Sequence, residues 1–151
     1  MDELPFIDEH SRTVDATAER TWDATRAVPS RSLTGGMPAA FSRLLGCEQT
    51  ELAGEPGTVG STFPGFRVAG SRAPAELALE GRHRFSRYRL TFRIEDLGDG
   101  RSRLRAETRA DFPGMRGRLY RTLVIGTRGH VLMVRRMLAA IGDRAEKGTA
   151  R

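Results

Sequence analysis

The stretch from Pro113 to Ile141 has no proline after its first residue, and its apolar residues recur at helical spacing. On a wheel of 3.6 residues per turn, Leu119, Leu123, Gly126, His130, Met133, Val134, Met137 and Ile141 fall on one face. The spacing predicts one long helix with a broad apolar side. A helix of that kind needs a wide surface to cover it. What precedes it reads mostly as strand, so the surface is expected to be a sheet.

The strands are clearest just before the helix. Tyr88, Leu90, Phe92 and Ile94 alternate with Arg87, Arg89, Thr91 and Arg93, the period-two pattern of a half-buried strand. Leu97-Gly98-Asp99-Gly100 reads as a hairpin turn. The return strand puts Leu104, Ala106, Thr108, Ala110 and Phe112 on one side and Arg103, Arg105, Glu107, Arg109 and Asp111 on the other. Charges of both signs on the outer side suit cross-strand pairing. Phe85 has the opposite parity to Tyr88, which predicts a bulge near Ser86. Upstream, Ala75, Leu77 and Leu79 alternate with Glu76, Ala78 and Glu80, and Gly81 is expected to bend or end that strand. Val59, Ser61 and Phe63, then Phe66 and Val68, give weaker alternations between turns at Gly54, Pro56-Gly57 and Gly60.

At the other end, Glu9 to Val14 reads as a first short strand. In TAERTWDATRAVPS, Thr17 is placed to cap a helix whose first turn holds Glu19. Pro29 is expected to stop that helix, and Trp22, the only tryptophan, to anchor it. After the loop SRSLTGGMP, the run MPAAFSRLLG predicts a second short helix, with Phe41, Leu44 and Leu45 on one face and Gly46 at its end. Residues after Gly142 read as a fraying tail.

With 151 residues the chain has the size of one domain, taken as residues 1–151 with a core of about 8–142. The net charge is +6, yet Lys147 is the only lysine among 25 basic residues. That bias suits a GC-rich, bacterial genome. The arginines are spread among acids along the strands, so no nucleic-acid partner is expected. Cys47 is the only cysteine, which excludes an internal disulfide and suits a reducing, cytoplasmic location. The acidic N-terminus does not read as a signal peptide, and no apolar run is long enough to span a membrane.

The order strand, two short helices, antiparallel strands, long C-terminal helix resembles the SRPBCC superfamily of START, Bet v 1-like and polyketide cyclase/dehydrase-type proteins. Three stretches carry the resemblance. DATAERTWDAT is similar to the family's opening helix, with Thr17 where proline is common. GRHRFSRYRLTFRIEDLGDGRSRLRAETRADFPG looks like the last hairpin, and the helix with Tyr120, His130 and Met133 looks like the gripped helix. The resemblance implies an α+β helix-grip fold. In that fold a curved antiparallel sheet wraps a long C-terminal helix, two short helices close one end, and a cavity for hydrophobic ligands lies between. It carries no catalytic motif with it.

The inward aromatics and methionines are the candidate ligand-binding residues: Trp22, Phe41, Phe66, Tyr88, Phe92, Met133 and Met137. Each could equally fill a core. His130 is the ionisable residue on the apolar face, with Tyr88, Thr108 or Thr127 as polar neighbours. An imidazole there could exchange a proton with a ligand or be a packed, hydrogen-bonded histidine. Glu80, His83 and Arg84 could form a polar rim. No spacing matches a metal-ligand or phosphate-loop signature, so no metal or cofactor is expected. Three readings stand in order: a binder of a small hydrophobic molecule (lipid, polyketide or isoprenoid-like), a polyketide cyclase/dehydratase-type enzyme using His130 and Tyr88, and a surface interaction module with a collapsed cavity. The wide apolar arc of the long helix also leaves room for a homodimer contact.

Overall fold

The computed structural model describes residues 4–36, 54–55, 58–63, 66–83, 86–112, 114–124 and 129–147. Among them are six strands: β1 (Phe6–Val14), β2 (Thr62–Phe63), β3 (Phe66–Arg72), β4 (Glu76–His83), β5 (Ser86–Gly98) and β6 (Arg101–Asp111). They form one antiparallel sheet in the order β1-β6-β5-β4-β3-β2. Three helices accompany it: α1 (Ala18–Gly36), α2 (Gly114–Val124) and α3 (Gly129–Lys147). The sheet is curved, and α1 and α3 pack together over its concave face. This is the helix-grip arrangement.

The pleat explains why these residues make this sheet. Leu90, Phe92 and Ile94 on β5, and Leu104, Ala106, Thr108 and Ala110 on β6, are all buried on one face. Their neighbours of opposite parity carry the arginines and glutamates of the outer face, and Asp99 and Gly100 turn the hairpin with positive φ angles. Leu77, Leu79 and Phe92 are wholly buried beside Val134, Met137 and Ile141 of α3 and Trp22 of α1. Each large side chain so buried contributes about 1.5–3 kcal/mol relative to exposure. Thr17 caps α1 as expected, its hydroxyl accepting from the Arg20 N–H at 3.3 Å.

Five expectations need correction. First, α1 does not stop at Pro29 but runs to Gly36, through the first residues of the expected loop. A proline inside a helix removes one backbone bond. Here the turns before it are held by buried Thr21, Trp22, Ala24 and Thr25, and tertiary packing outweighs that loss. Second, β1 begins at Phe6, and its first residues pair with the end of β6.

Third, β4 continues through Gly81 to His83, and Gly81 pairs with Tyr88. Fourth, α3 carries on past Gly142 to Lys147; residues 125–128, between α2 and α3, lie outside the described residues. Ile141 and Ala145 are buried, so these last turns belong to the core rather than to a tail. Fifth, Leu119 is exposed instead of facing the sheet. Phe41 and the second short helix, Phe85 beside the bulge expected near Ser86, and Thr127 lie outside the described residues; Ser86 itself opens β5 and pairs with His83 with no register shift.

Candidate functional site

Strand pairing sets out the concave face as rows, because residues paired across an antiparallel ladder project to the same side. One row is Tyr88 of β5 between Ala110 of β6 and Gly81 of β4. The next is Asp8, Thr108, Leu90, Leu79 and Val68, from β1 across to β3. Then come His10, Ala106, Phe92 and Leu77, followed by Arg12, Leu104 and Ile94. Val14 and Ser102 make the last row.

The rows differ in how they are covered. At the Ser102 end α1 seals the sheet: the Ser102 hydroxyl donates to the Ala16 carbonyl at 3.0 Å, and its oxygen lies 2.7 Å from the Thr21 hydroxyl. At the Tyr88 end the face is aromatic. The rings of Phe66 and Tyr88 meet edge to face, with centroids 5.1 Å apart and planes at 70°. Strands two apart are about 9–10 Å from one another, so two rings meet across β4 only where the intervening residue lacks a side chain. Gly81 is that residue, which is why it continues the strand instead of ending it.

Of the residues proposed from sequence, Trp22, Phe66, Phe92 and Met137 are buried, and Tyr88 and Met133 are half-buried against the same core. These six are gathered around the concave face. His130 stands in the first described turn of α3, one turn before Met133 and Val134; its side chain is outside the described residues. Of the rim proposed for Glu80, His83 and Arg84, the His83 side chain and Arg84 lie outside the described residues, and only Glu80 can be placed. It lies on the outer face in ion pairs with Arg89 and Arg67.

Sequence reasoning missed the polar residues that β1 places on the inner face. Asp8, His10 and Arg12 share the parity of Val14 and face Thr108, Ala106 and Leu104. His10 donates from Nε2 to Asp8 Oδ2 at 3.1 Å, both side chains being about four-fifths covered (19% and 23% exposed). Arg12 reaches α3: Nη1 donates to the Ala139 carbonyl at 3.1 Å, and Nη2 to Asp143 at 3.3 Å and Glu146 at 3.3 Å. The Asp15 N–H donates to the same Glu146 at 3.2 Å. Gly142 makes this approach feasible, because a Cβ there would stand 2.6 Å from the Arg12 guanidinium carbon. The Thr108 hydroxyl is buried with no hydrogen-bond partner, a state that costs about 1–3 kcal/mol.

The outer face is electrostatically laced. Glu107 accepts from Arg109 at 2.8 Å and from Arg93 at 3.4 Å. The Arg109 hydrogen bond, helped by the charge of Arg93 and opposed by partial burial, holds the Glu107 carboxyl below the ordinary glutamate range.

The architecture places this chain among helix-grip proteins, with the fold of the SRPBCC, or START/Bet v 1-like, superfamily. It is similar along nearly its whole length to norcoclaurine synthase from Thalictrum flavum in complex with dopamine and hydroxybenzaldehyde (TM-score 0.60, 15% identity, 99% of this chain and 90% of that one). A point mutant of the same enzyme with a transition-state analogue superposes equally well (TM-score 0.61, 15% identity, 98% and 100% covered). The di-domain ARO/CYC protein BexL matches over 95% of this chain and 47% of its own (TM-score 0.56, 16% identity). At these identities the likeness is one of fold. No family model and no curated protein matches the sequence.

Proposed function

We propose that the protein binds a small, largely hydrophobic molecule between the concave face and α3, against Phe66, Tyr88, Phe92 and Met133. The observation that carries this reading is the aromatic end of the sheet. There Tyr88 is flanked by Ala110 and Gly81, stays half-buried, and presents a ring pair with Phe66 instead of an aliphatic seal. Small residues beside a half-covered aromatic are what a pocket wall for an apolar ligand requires. One neighbour in fold supports it: norcoclaurine synthase has been solved in complex with dopamine and hydroxybenzaldehyde, both small aromatic compounds. A lipid, polyketide or isoprenoid-like body would suit the same surface.

Native mass spectrometry of the purified protein tests the reading, together with calorimetric titration of an apolar aromatic such as para-methylbiphenyl. The expected result is one bound molecule per chain, with Tyr88→Ala lowering affinity at least tenfold. Absence of binding at millimolar concentration would defeat it. A cyclase/dehydratase-type activity using His130 and Tyr88 is the second reading, supported by Tyr88 on the inner face and by the fold shared with BexL. His130→Ala with unchanged turnover on an identified substrate excludes that role. A homodimer contact would form where Met115, Leu119 and Leu132 are exposed, and a chain with Cys47 as its only cysteine suits the cytoplasm.

A further inference from the structure

Among the described residues, the Thr108 hydroxyl and the second ring nitrogen of His10 have no hydrogen-bond partner, and both lie toward the β1 edge. His10 uses Nε2–H on Asp8. In the neutral ring the other nitrogen, Nδ1, is then an acceptor, and among the described residues it has no hydrogen-bond partner. The Thr108 hydroxyl has none either. Asp8 faces Thr108 directly across the ladder, and His10 faces Ala106, one position along. His10 and Thr108 are therefore diagonal neighbours on one face, with Cβ atoms roughly 7 Å apart or less. That spacing leaves room for a single ligand oxygen between an imidazole and a hydroxyl. Alanine at position 106 contributes only a methyl group between them.

The same edge lies under α3. Arg12 touches Ala139, Asp143 and Glu146, and Asp15 touches Glu146, so α3 runs along β1 in the same direction. Four strand residues back from Arg12, about 13 Å, correspond to roughly nine helix residues. Asp8 and His10 are thus level with the turns of α3 that hold Met133 and Met137. By that count the polar edge stands at the same level of the sheet as Met133 and Met137.

We propose that Asp8, His10 and Thr108 form a subsite for a hydroxyl group on the otherwise apolar ligand, so that the protein selects a phenol or alcohol over the corresponding hydrocarbon. His10 Nδ1 accepts the ligand O–H. The Thr108 hydroxyl, turned about χ1, donates to the same oxygen, and Asp8 is a positioning residue that fixes the tautomer and orientation of the ring. This inference rests on the proposed binding of an apolar molecule at the concave face.

The test compares para-phenylphenol with para-methylbiphenyl, near-isosteres that differ in a hydroxyl against a methyl, by calorimetric titration into the full chain. The phenol is expected to bind about tenfold tighter, the ratio one net hydrogen bond supplies. His10→Phe and Thr108→Val each reduce that ratio toward one while leaving para-methylbiphenyl affinity within about twofold. Asp8→Ala lowers only the phenol's affinity. The hydrocarbon reports folding in each variant, and Thr108→Val, being isosteric, stands in should His10→Phe fail to fold. Equal affinities of the wild-type protein for the two probes, or a ratio unchanged in His10→Phe and Thr108→Val, overturn the subsite and leave the apolar pocket standing. Binding of neither probe overturns both.

Discussion

Replacing Gly142 by alanine should destabilise the protein, although Gly142 lies inside a helix where alanine is normally the better residue. The helix-propensity gain is about 1 kcal/mol. Against it, the new methyl would stand 2.6 Å from the Arg12 guanidinium carbon and 2.7 Å from its Nε. Reaching ordinary contact requires the guanidinium to retreat by about 1 Å, which breaks its hydrogen bond to the Ala139 carbonyl. A hydrogen bond from a charged donor is worth about 1.5–3 kcal/mol. The accompanying pairs with Asp143 and Glu146 are partly exposed, and discounted for solvent they add less than about 1 kcal/mol. The net expectation is a loss of about 1–2 kcal/mol.

In an Arg12→Leu background the clash is gone, and the same substitution should stabilise by up to about 1 kcal/mol. The sign reverses, giving a coupling of about 2–3 kcal/mol between two positions far apart in sequence. Urea denaturation followed by the fluorescence of Trp22, the only tryptophan, measures all four corners of the cycle. A coupling within about 0.5 kcal/mol of zero, the scatter of additive sites, would refute the latch between β1 and α3.

Three further outcomes are expected. Ser102→Ala strands the Thr21 hydroxyl and the Ala16 carbonyl in the core, and should lower unfolding free energy by about 1–3 kcal/mol. Glu107 contributes stability above the ordinary glutamate pKa of about 4.3 because its folded value is depressed; that contribution is lost as pH falls through the folded value. Glu107→Gln should therefore lower the melting temperature at neutral pH and converge on the wild type only as pH falls through that depressed folded value. Gly81→Val puts a side chain between Phe66 and Tyr88; affinity for para-methylbiphenyl should fall about tenfold or more, read by the titration used above.

The legible parts of the fold were those where burial and parity coincide. On β5 from Tyr88 to Ile94 and on β6 from Ser102 to Ala110 the inner residues are apolar or small and most outer ones are charged, so both strands and their turn could be read directly. β1 has the same alternation, but its inner positions carry Asp8, His10 and Arg12. Polarity reports only that a residue has a partner, and here the partners lie across the sheet or on α3, more than a hundred residues away for Arg12. Gly81 and Gly142 were opaque for a related reason. In each, the missing side chain makes room for another element, a ring in one case and a guanidinium in the other. Pro29 gave a correct local signal that packing of the preceding turns overrides.

The contacts divide the concave face by task. From Arg12 to Ser102, every inner polar group described has a protein partner: α3 is tied to β1 through Arg12 and Glu146, and α1 is tied to β6 through Ser102. From His10 toward Tyr88 the pattern changes to unpaired hydrogen-bonding atoms on His10 and Thr108, small residues, and half-covered aromatics. An element fixed at one end can move most at the other. The latch engages only the C-terminal turns of α3, through Ala139, Asp143 and Glu146. If the proposed subsite is right, Gly142→Ala should weaken the fold with little change in the ratio of phenol to hydrocarbon affinity, while His10→Phe should do the reverse.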